Sequence, residues 1–288
     1  MKTIEYWAAR ILLTKLRWLP PHMANWRVAL YARVLDLAVP RLRRIALRNL
    51  ELAGFEDRDA ILRGVFRSLG RVVVTFAQFP RITRDNVHRW IRYEGLENFT
   101  SAQARGRGVL VATGHLGNWE LSAYTHALMT GPMNIVVRPL DNPRVDALVE
   151  QRRTLSGNPV IRKKEAAREI LRALRAGQAV GILIDQNSSL EEGVFVDFFG
   201  VKACANAAFV KFAHHTGAAV VPGFALWSEA EQRYILRFYP EIPMGGDVLD
   251  DTQRVHTVLE QVIREHPDQW LWIHRRWKTR PPGEPPIY

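Results

Sequence analysis

From about Trp90 onward, short β-rich apolar runs alternate with helical runs, and this constrains the fold more than any other feature of the chain. RGVLVAT precedes LSAYTHALM, MNIVV precedes RVDALVEQRRTL, and EAAREILRALRAG leads into QAVGILI. AAFVKFAHH, AAVVPGFAL and YILRFYP follow, and a helix over about 250–264 and a Trp-rich tail close the sequence. Strands joined through helices pair in parallel, so the alternation predicts an α/β fold with a mostly parallel central sheet flanked by helices. Before residue 90 the pattern is helical instead. WRVALYARVLDLAV, RRIALRNLELAG and DAILRGVFRSLGRVVVTFAQF carry apolar residues three and four apart, punctuated by Pro20, Pro21, Pro40, Gly54 and Pro80. No repeat or Ser/Gly linker intervenes. The expectation is a helical, membrane-proximal region over 1–90 and an α/β core over 91–288, integrated as one domain.

The opening stretch, MKTIEYWAARILLTKLRWLPP, bears on the partner. Arg10, Lys15 and Arg17 interrupt it well short of the roughly 18 apolar residues a spanning helix needs. On a helix, Ile4, Trp7, Ala8, Ile11 and Leu12 share one face while Lys2, Arg10, Lys15 and Arg17 lie elsewhere. That is the composition of a helix lying in a membrane interface, and equally of a core-packing helix with a solvated basic face. No small-residue cleavage site follows a clean apolar stretch, so no signal peptide is expected. The 288 residues carry 40 Lys and Arg against 29 Asp and Glu, a formal charge of +11, which points to anionic partners such as nucleic acid, an acidic protein, phosphorylated metabolites or an anionic membrane. Arginine without lysine dominates the span from Arg41 to Arg92. The single Cys204 excludes an intramolecular disulfide and a cysteine-cluster metal site.

In parallel sheets, ligands bind where strands end and helices begin. VLVATGHLGNWELSAY is the outstanding junction. Val109 to Ala112 reads as a buried strand, Thr113 and Gly114 end it, and His115 precedes a helix beginning around Asn118. Glu120 lies five residues beyond His115. In a continuous helix that spacing sets the side chains about 140° apart. A turn at Leu116-Gly117 lets the imidazole fold back, so that Glu120 is expected to accept a hydrogen bond from one ring nitrogen and leave the other as a base facing the cleft. The helix N-terminus offers N–H groups to a developing oxyanion. The bland alternative is a capping histidine and a glutamate favouring the positive end of a helix. No G-x-S-x-G, H-E-x-x-H, G-x4-G-K-[ST] or G-x-G-x-x-G occurs, and His214-His215 has no cysteine or carboxylate at ligand spacing.

GHLGNWE resembles the H-x4-D/E block of the lysophospholipid acyltransferase superfamily. From about residue 20 to the end the chain is similar to one branch, the lipid A biosynthesis late acyltransferases of lauroyl/myristoyl type. VVRPLDNPRVDALVEQRR resembles that branch's Arg-Pro segment and following helix, GILIDQN its Asp-Gln strand end, VFVDFFGVKA its Phe-Phe-Gly loop, and QWLWIHRRWKTRP its C-terminal signature. Two departures stand out: the branch's N-terminal anchor is often a true transmembrane helix, and the Thr-rich run after the Phe-Phe-Gly loop is here ACANAA. Gly-Asn-Trp inside the histidine block is also similar to mycobacterial phosphatidylinositol mannoside acyltransferases.

The resemblance implies a membrane-associated O-acyltransferase that moves a fatty acyl chain from acyl carrier protein or acyl-CoA to a hydroxyl of a lipid A precursor, or of another glycolipid or lysophospholipid. It implies no metal and no cofactor beyond the acyl donor, a peripheral position on the cytoplasmic face of a bacterial inner membrane, and no nucleic acid. In this scheme His115 is the base and Glu120 holds its tautomer. Arg138, ending MNIVV ahead of Pro139, would grip a phosphate or the oxyanion. Asp185, ending GILI, would orient Arg138 or the acceptor sugar, or merely start a turn. Asn118 would contact substrate. Arg275 and Arg276, with Lys278 and Arg280, would bind lipid phosphates, while Trp270, Trp272 and Trp277 would sit at the headgroup boundary or pack. The rival outside this class is a non-enzymatic basic protein that binds membrane or nucleic acid; it accounts for the charge but not for the ordered motifs.

Overall fold

The computed structural model describes residues 2–18, 34, 39–162 and 166–288; the helix expected at WRVALYARVLDLAV lies almost wholly outside them. Three helices lead the described chain: α1 (Lys2–Arg17), α2 (Pro40–Leu52) and α3 (Arg58–Gln78). The rest alternates as expected: β1 (Ile91–Glu94), α4 (Leu96–Ala104), β2 (Val109–Thr113), α5 (Trp119–Met129), β3 (Asn134–Val137), α6 (Pro143–Thr154), β4 (Val160–Arg162), α7 (Ala166–Arg175) and β5 (Ala179–Leu183). A hairpin of β6 (Gly193–Phe198) and β7 (Val201–Asn206) interrupts that rhythm, followed by α8 (Ala208–Thr216), β8 (Ala219–Ser228), β9 (Arg233–Phe238) and α9 (Val248–Glu265).

The main sheet has seven strands in the order β1-β9-β8-β2-β5-β3-β4, parallel at every neighbouring pair except β8 with β9. Its centre is buried on both faces, which is why β2 reads as a continuous apolar run rather than an alternation. Leu110 and Ala112 join a core with Leu50, Leu62 and Phe66 of α2 and α3 and with Leu259 and Ile263 of α9. Val109 and Val111 point to the opposite face, toward Leu16 of α1, Phe99 of α4 and Leu121 of α5.

The β6-β7 hairpin accounts for the Phe-Phe-Gly motif. Phe198 pairs with Val201, so Phe199 and Gly200 alone make the turn, and both have positive φ, 55° and 73°. That is the mirror-image turn whose twist suits a two-residue hairpin. It delivers Phe198 and Phe199 into an aromatic cluster with Trp270, Trp272 and Trp277, all three of them fully buried, so the tryptophans of the tail pack rather than meet headgroups.

No described helix is long and apolar enough to cross a membrane. On α1, Leu13 and Leu16 are buried, while Ile4, Trp7, Ile11 and Leu12, the face expected from the sequence, are exposed, Ile4 by 74%. The helix lies against α3 and α6: Gln78 donates to Leu16 O, and the Asn142 side-chain amide donates to Lys2 O at 2.7 Å and to Glu5 at 2.9 Å.

Four buried or half-buried histidines make stability sensitive to acid. Burial lowers His126, His256 and His274 to about 4 from the ordinary 6.5, and it lowers His266 as well. At His126, His256 and His274 an unfolded chain binds protons below pH 6.5 and the folded chain does not until about pH 4, so stability falls as pH drops through that window, by up to about 1.4 kcal/mol per unit for each of the three. Against these stands His115, raised by its surroundings, which acts in the opposite sense. Chemical denaturation midpoints should therefore fall between pH 6.5 and pH 4.5; a flat or rising midpoint would show that these imidazoles are hydrated.

Candidate active site

Strand register builds the site. β2 and β5 are parallel neighbours with Thr113 opposite Leu183, and Ile184 N–H extends the ladder to Thr113 O at 2.9 Å. His115 and Asp185 each lie two residues past that last pair, so the two chains deliver them to one point at the carboxyl edge of the sheet. Gly114 makes the close approach possible, since a Cβ there would meet Asp185 at 3.3 Å. Gly117, at φ 63°, then turns the chain sharply, and a Cβ at that position would collide with Ala225 O. Alanine there would carry both the clash and the left-handed strain.

Asp185 is fully buried and accepts three hydrogen bonds, each of 2.9 Å. His115 Nδ1 meets Oδ1, while the His115 backbone N–H and the Trp270 indole N–H both donate to Oδ2. Burial alone would push this carboxyl up, but the charge and hydrogen bond of His115, with the Trp270 N–H, hold it well below the usual carboxylate range. Burial also opposes the charged form of His115; Asp185 outweighs it, Glu120 adds to the effect and Arg153 opposes it, leaving His115 above the ordinary histidine value. An ionised Asp185 makes Nδ1 the protonated nitrogen and leaves Nε2 as the basic one. The Trp119 ring stands edge-on to the imidazole, 4.9 Å away between centroids.

Glu120 is placed differently from the expectation. The predicted hydrogen bond to His115 is made by Asp185 instead, because the neighbouring strand end reaches Nδ1. Glu120 forms a two-pronged ion pair with Arg153 of α6, at 2.9 Å to Nε and 2.5 Å to Nη2, and acts on His115 through its charge. Both partners are largely buried and both line a cleft open on one side and walled by Val111, Trp119, Met133, Val136 and Leu183.

The remaining expectations divide. Asn118 is fully buried as the cap of α5, its Oδ1 accepting Leu121 N–H at 3.0 Å, so it shapes the helix start and is out of a substrate's reach. Arg138 ends β3, two strands from β2; its side chain is 80% exposed, with Asp141 at 3.9 Å as its ion-pair partner, and Asp185 does not orient it. Arg138→Lys should accordingly leave transfer rates close to wild type in a steady-state assay, and a sharp fall would return this residue to the site. Arg276 is wholly buried and donates to Cys204 O at 2.6 Å, which corrects its expected role as a headgroup ligand. Arg275 lies over the Tyr288 ring and Arg280 pairs with Glu284, leaving Lys278 exposed. His214 does find a carboxylate, Asp251 of α9 at 2.7 Å, from 37 residues away. Among the described residues no group of three or more His, Cys, Asp or Glu could hold a metal ion.

Two contributors escaped the sequence reading. Arg153 had a signal: Asp146, Glu150 and Arg153 recur at helical spacing on α6, a charged stripe where a packed helix ordinarily carries apolar residues. Trp270 had none beyond its motif.

Comparison with known proteins identifies the lineage. The family model for bacterial lipid A biosynthesis acyltransferases matches residues 1–279. The chain belongs to this family. Among curated relatives, a lipid A biosynthesis palmitoleoyltransferase of Escherichia coli is 32% identical over 268 residues, covering 89% of this chain and 86% of the relative. The lauroyltransferase of the same organism is 30% identical, covering 86% and 83%, and its myristoyltransferase 23%, covering 97% and 90%. The protein is therefore an acyltransferase.

Proposed function

We propose that this acyltransferase moves a fatty acyl group from the thioester of an acyl carrier, either acyl carrier protein or coenzyme A, to a hydroxyl of a lipid A precursor. The observation that carries the mechanism is the buried Asp185 bound to Nδ1 of His115 beside an apolar cleft. Nε2 takes the proton of the acceptor hydroxyl as its oxygen attacks the thioester carbonyl. The carbon–sulfur bond then breaks, and the imidazolium returns the proton to the sulfur, which leaves as a thiol. Asp185 balances the transient charge on the ring, and Glu120 adds to that balance. Arg153 supplies positive charge for the oxyanion or a substrate phosphate, and the walls of the cleft suit the acyl chain. The relatives' names support a lipid A acceptor, and the arginine-rich surface suits an anionic donor. Purified protein given a lipid A precursor should yield a product one acyl chain heavier by mass spectrometry with one of the two thioesters. Release of free fatty acid alone, or no product with either donor, would overturn the assignment.

The exposed face of α1 supports peripheral attachment at the cytoplasmic face of the inner membrane. Ile4, Trp7 and Ile11 offer a modest apolar surface, and Lys2, Arg10, Lys15 and Arg17 add attraction to anionic lipid, about 1 kcal/mol for each basic residue near the surface. The protein should bind anionic vesicles in preference to neutral ones, and carbonate should release it from membranes. Retention through a carbonate wash, with release only by detergent, would point to an integral anchor instead.

A further inference from the structure

The residues from Gln269 to Thr279 form a strap laid across the ends of β2 and β5. Its backbone holds the histidine loop: Gly117 N–H donates to Gln269 O at 2.9 Å, and Leu271 N–H donates to His115 O at 3.0 Å. The strap is itself anchored. Gln269 brackets the Trp227 backbone, accepting from its N–H at 2.8 Å and donating to its carbonyl at 3.1 Å. Asn49 of α2 donates to Trp272 O and His274 O at 2.6 and 2.7 Å, and Thr279 exchanges hydrogen bonds with Asn187 just beyond Asp185. Trp270 therefore has little freedom, with its ring 4.5 Å from that of Trp272 and 5.7 Å from that of Phe198.

We propose that Trp270 is a positioning residue for acyl transfer: its indole N–H, with the His115 backbone N–H, occupies Oδ2 of Asp185, so that Oδ1 alone remains to hold the imidazole in one tautomer and one orientation. The proposal rests on His115 being the base. Without the indole donor, Oδ2 keeps only the hydrogen bond from the His115 backbone N–H, and the buried carboxylate has a rival attraction. Arg276 lies behind it, fully buried, with Nε and Nη2 lacking hydrogen-bond partners and its charge coupled to Asp185. A carboxylate that turns toward Arg276 releases Nδ1. The other ionisable groups around the pair are His256 of α9 and His274 of the strap behind Asp185, both held neutral by burial, and Glu120 of α5 and Arg153 of α6 on the cleft side. None of these donates a hydrogen bond to Asp185, so none replaces the indole N–H.

The test compares Trp270→Phe with replacement of Trp270 by 3-benzothienylalanine, which keeps both rings and lacks only the N–H. Expected for the benzothienyl protein is a fall in kcat of about 10- to 100-fold, by analogy with loss of an outer hydrogen-bond partner of a metal-bound histidine. KM for donor and acceptor should hold. Asp185, drawn toward Arg276 and loosened from Nδ1, stabilises the imidazolium less, so the acid limb of the kcat/KM profile should move to lower pH. Trp270→Phe should show the same shift, with added loss of stability from the smaller ring. Wild-type kcat, an unmoved limb, or a change confined to KM in the benzothienyl protein, with His115→Ala inactive, would reduce Trp270 to packing and overturn the proposal. Full activity in His115→Ala would instead overturn the reading beneath it, and the proposal with it.

Discussion

Replacing His115 by alanine is expected to slow acyl transfer by about 10²- to 10⁴-fold, the usual cost of losing a proton-transfer group. The fold should survive, because what ties this loop in place is backbone: His115 N–H to Asp185, His115 O to Leu271 and Gly117 N–H to Gln269. The replacement leaves Asp185 buried with two donors in place of three, a loss of about 1–3 kcal/mol in stability. Thermal unfolding separates that cost from the chemical one. Wild-type turnover in a folded His115→Ala protein would sink the base assignment outright.

Asp185→Asn should be nearly as damaging, for a reason specific to tautomers. Two donors, the His115 backbone N–H and the Trp270 indole, already point at Oδ2, so the amide of asparagine must place its oxygen there and turn its NH₂ toward Nδ1. Nδ1 then has to accept, Nε2 carries the proton, and the ring is a base no longer. The comparable change in serine hydrolase triads costs about 10⁴-fold through the same tautomer error. Glu120→Gln should cost less than either, since it removes charge from the cleft and weakens the grip on Arg153 without touching Nδ1. Single-turnover rates for the three proteins would rank them. A near-wild-type rate for Asp185→Asn, with Glu120→Gln inactive, would return the tautomer-holding role to Glu120.

That ranking departs from what local spacing suggests, and the departure shows where sequence is informative. The alternating sheet, the strand-to-helix junction at His115 and the helix start at Asn118 were legible because each is set within a dozen neighbouring residues. Glu120 stood out for the same reason, five positions from the histidine. Asp185 was visible as a strand end, but its partner was not, because the pairing depends on β2 and β5 lying side by side with Thr113 opposite Leu183, a contact across 70 residues. Arg276 shows the converse error. Among other cations in HRRWK it reads as surface charge, yet the hairpin closing over it through Phe198 and Cys204 makes it core.

If the proposed site is the working one, the strap also sets when the enzyme can first work. His115 and Asp185 are synthesised well before Trp270, which follows Asp185 by 85 residues. A nascent chain that has passed β5 already owns both halves of its pair but lacks the segment that stitches them together, so ribosome-bound intermediates should consume no acyl donor. Activity would begin late in translation, when the tryptophan tail folds back across the sheet edge, and a cell would be spared stray deacylation by half-made enzyme.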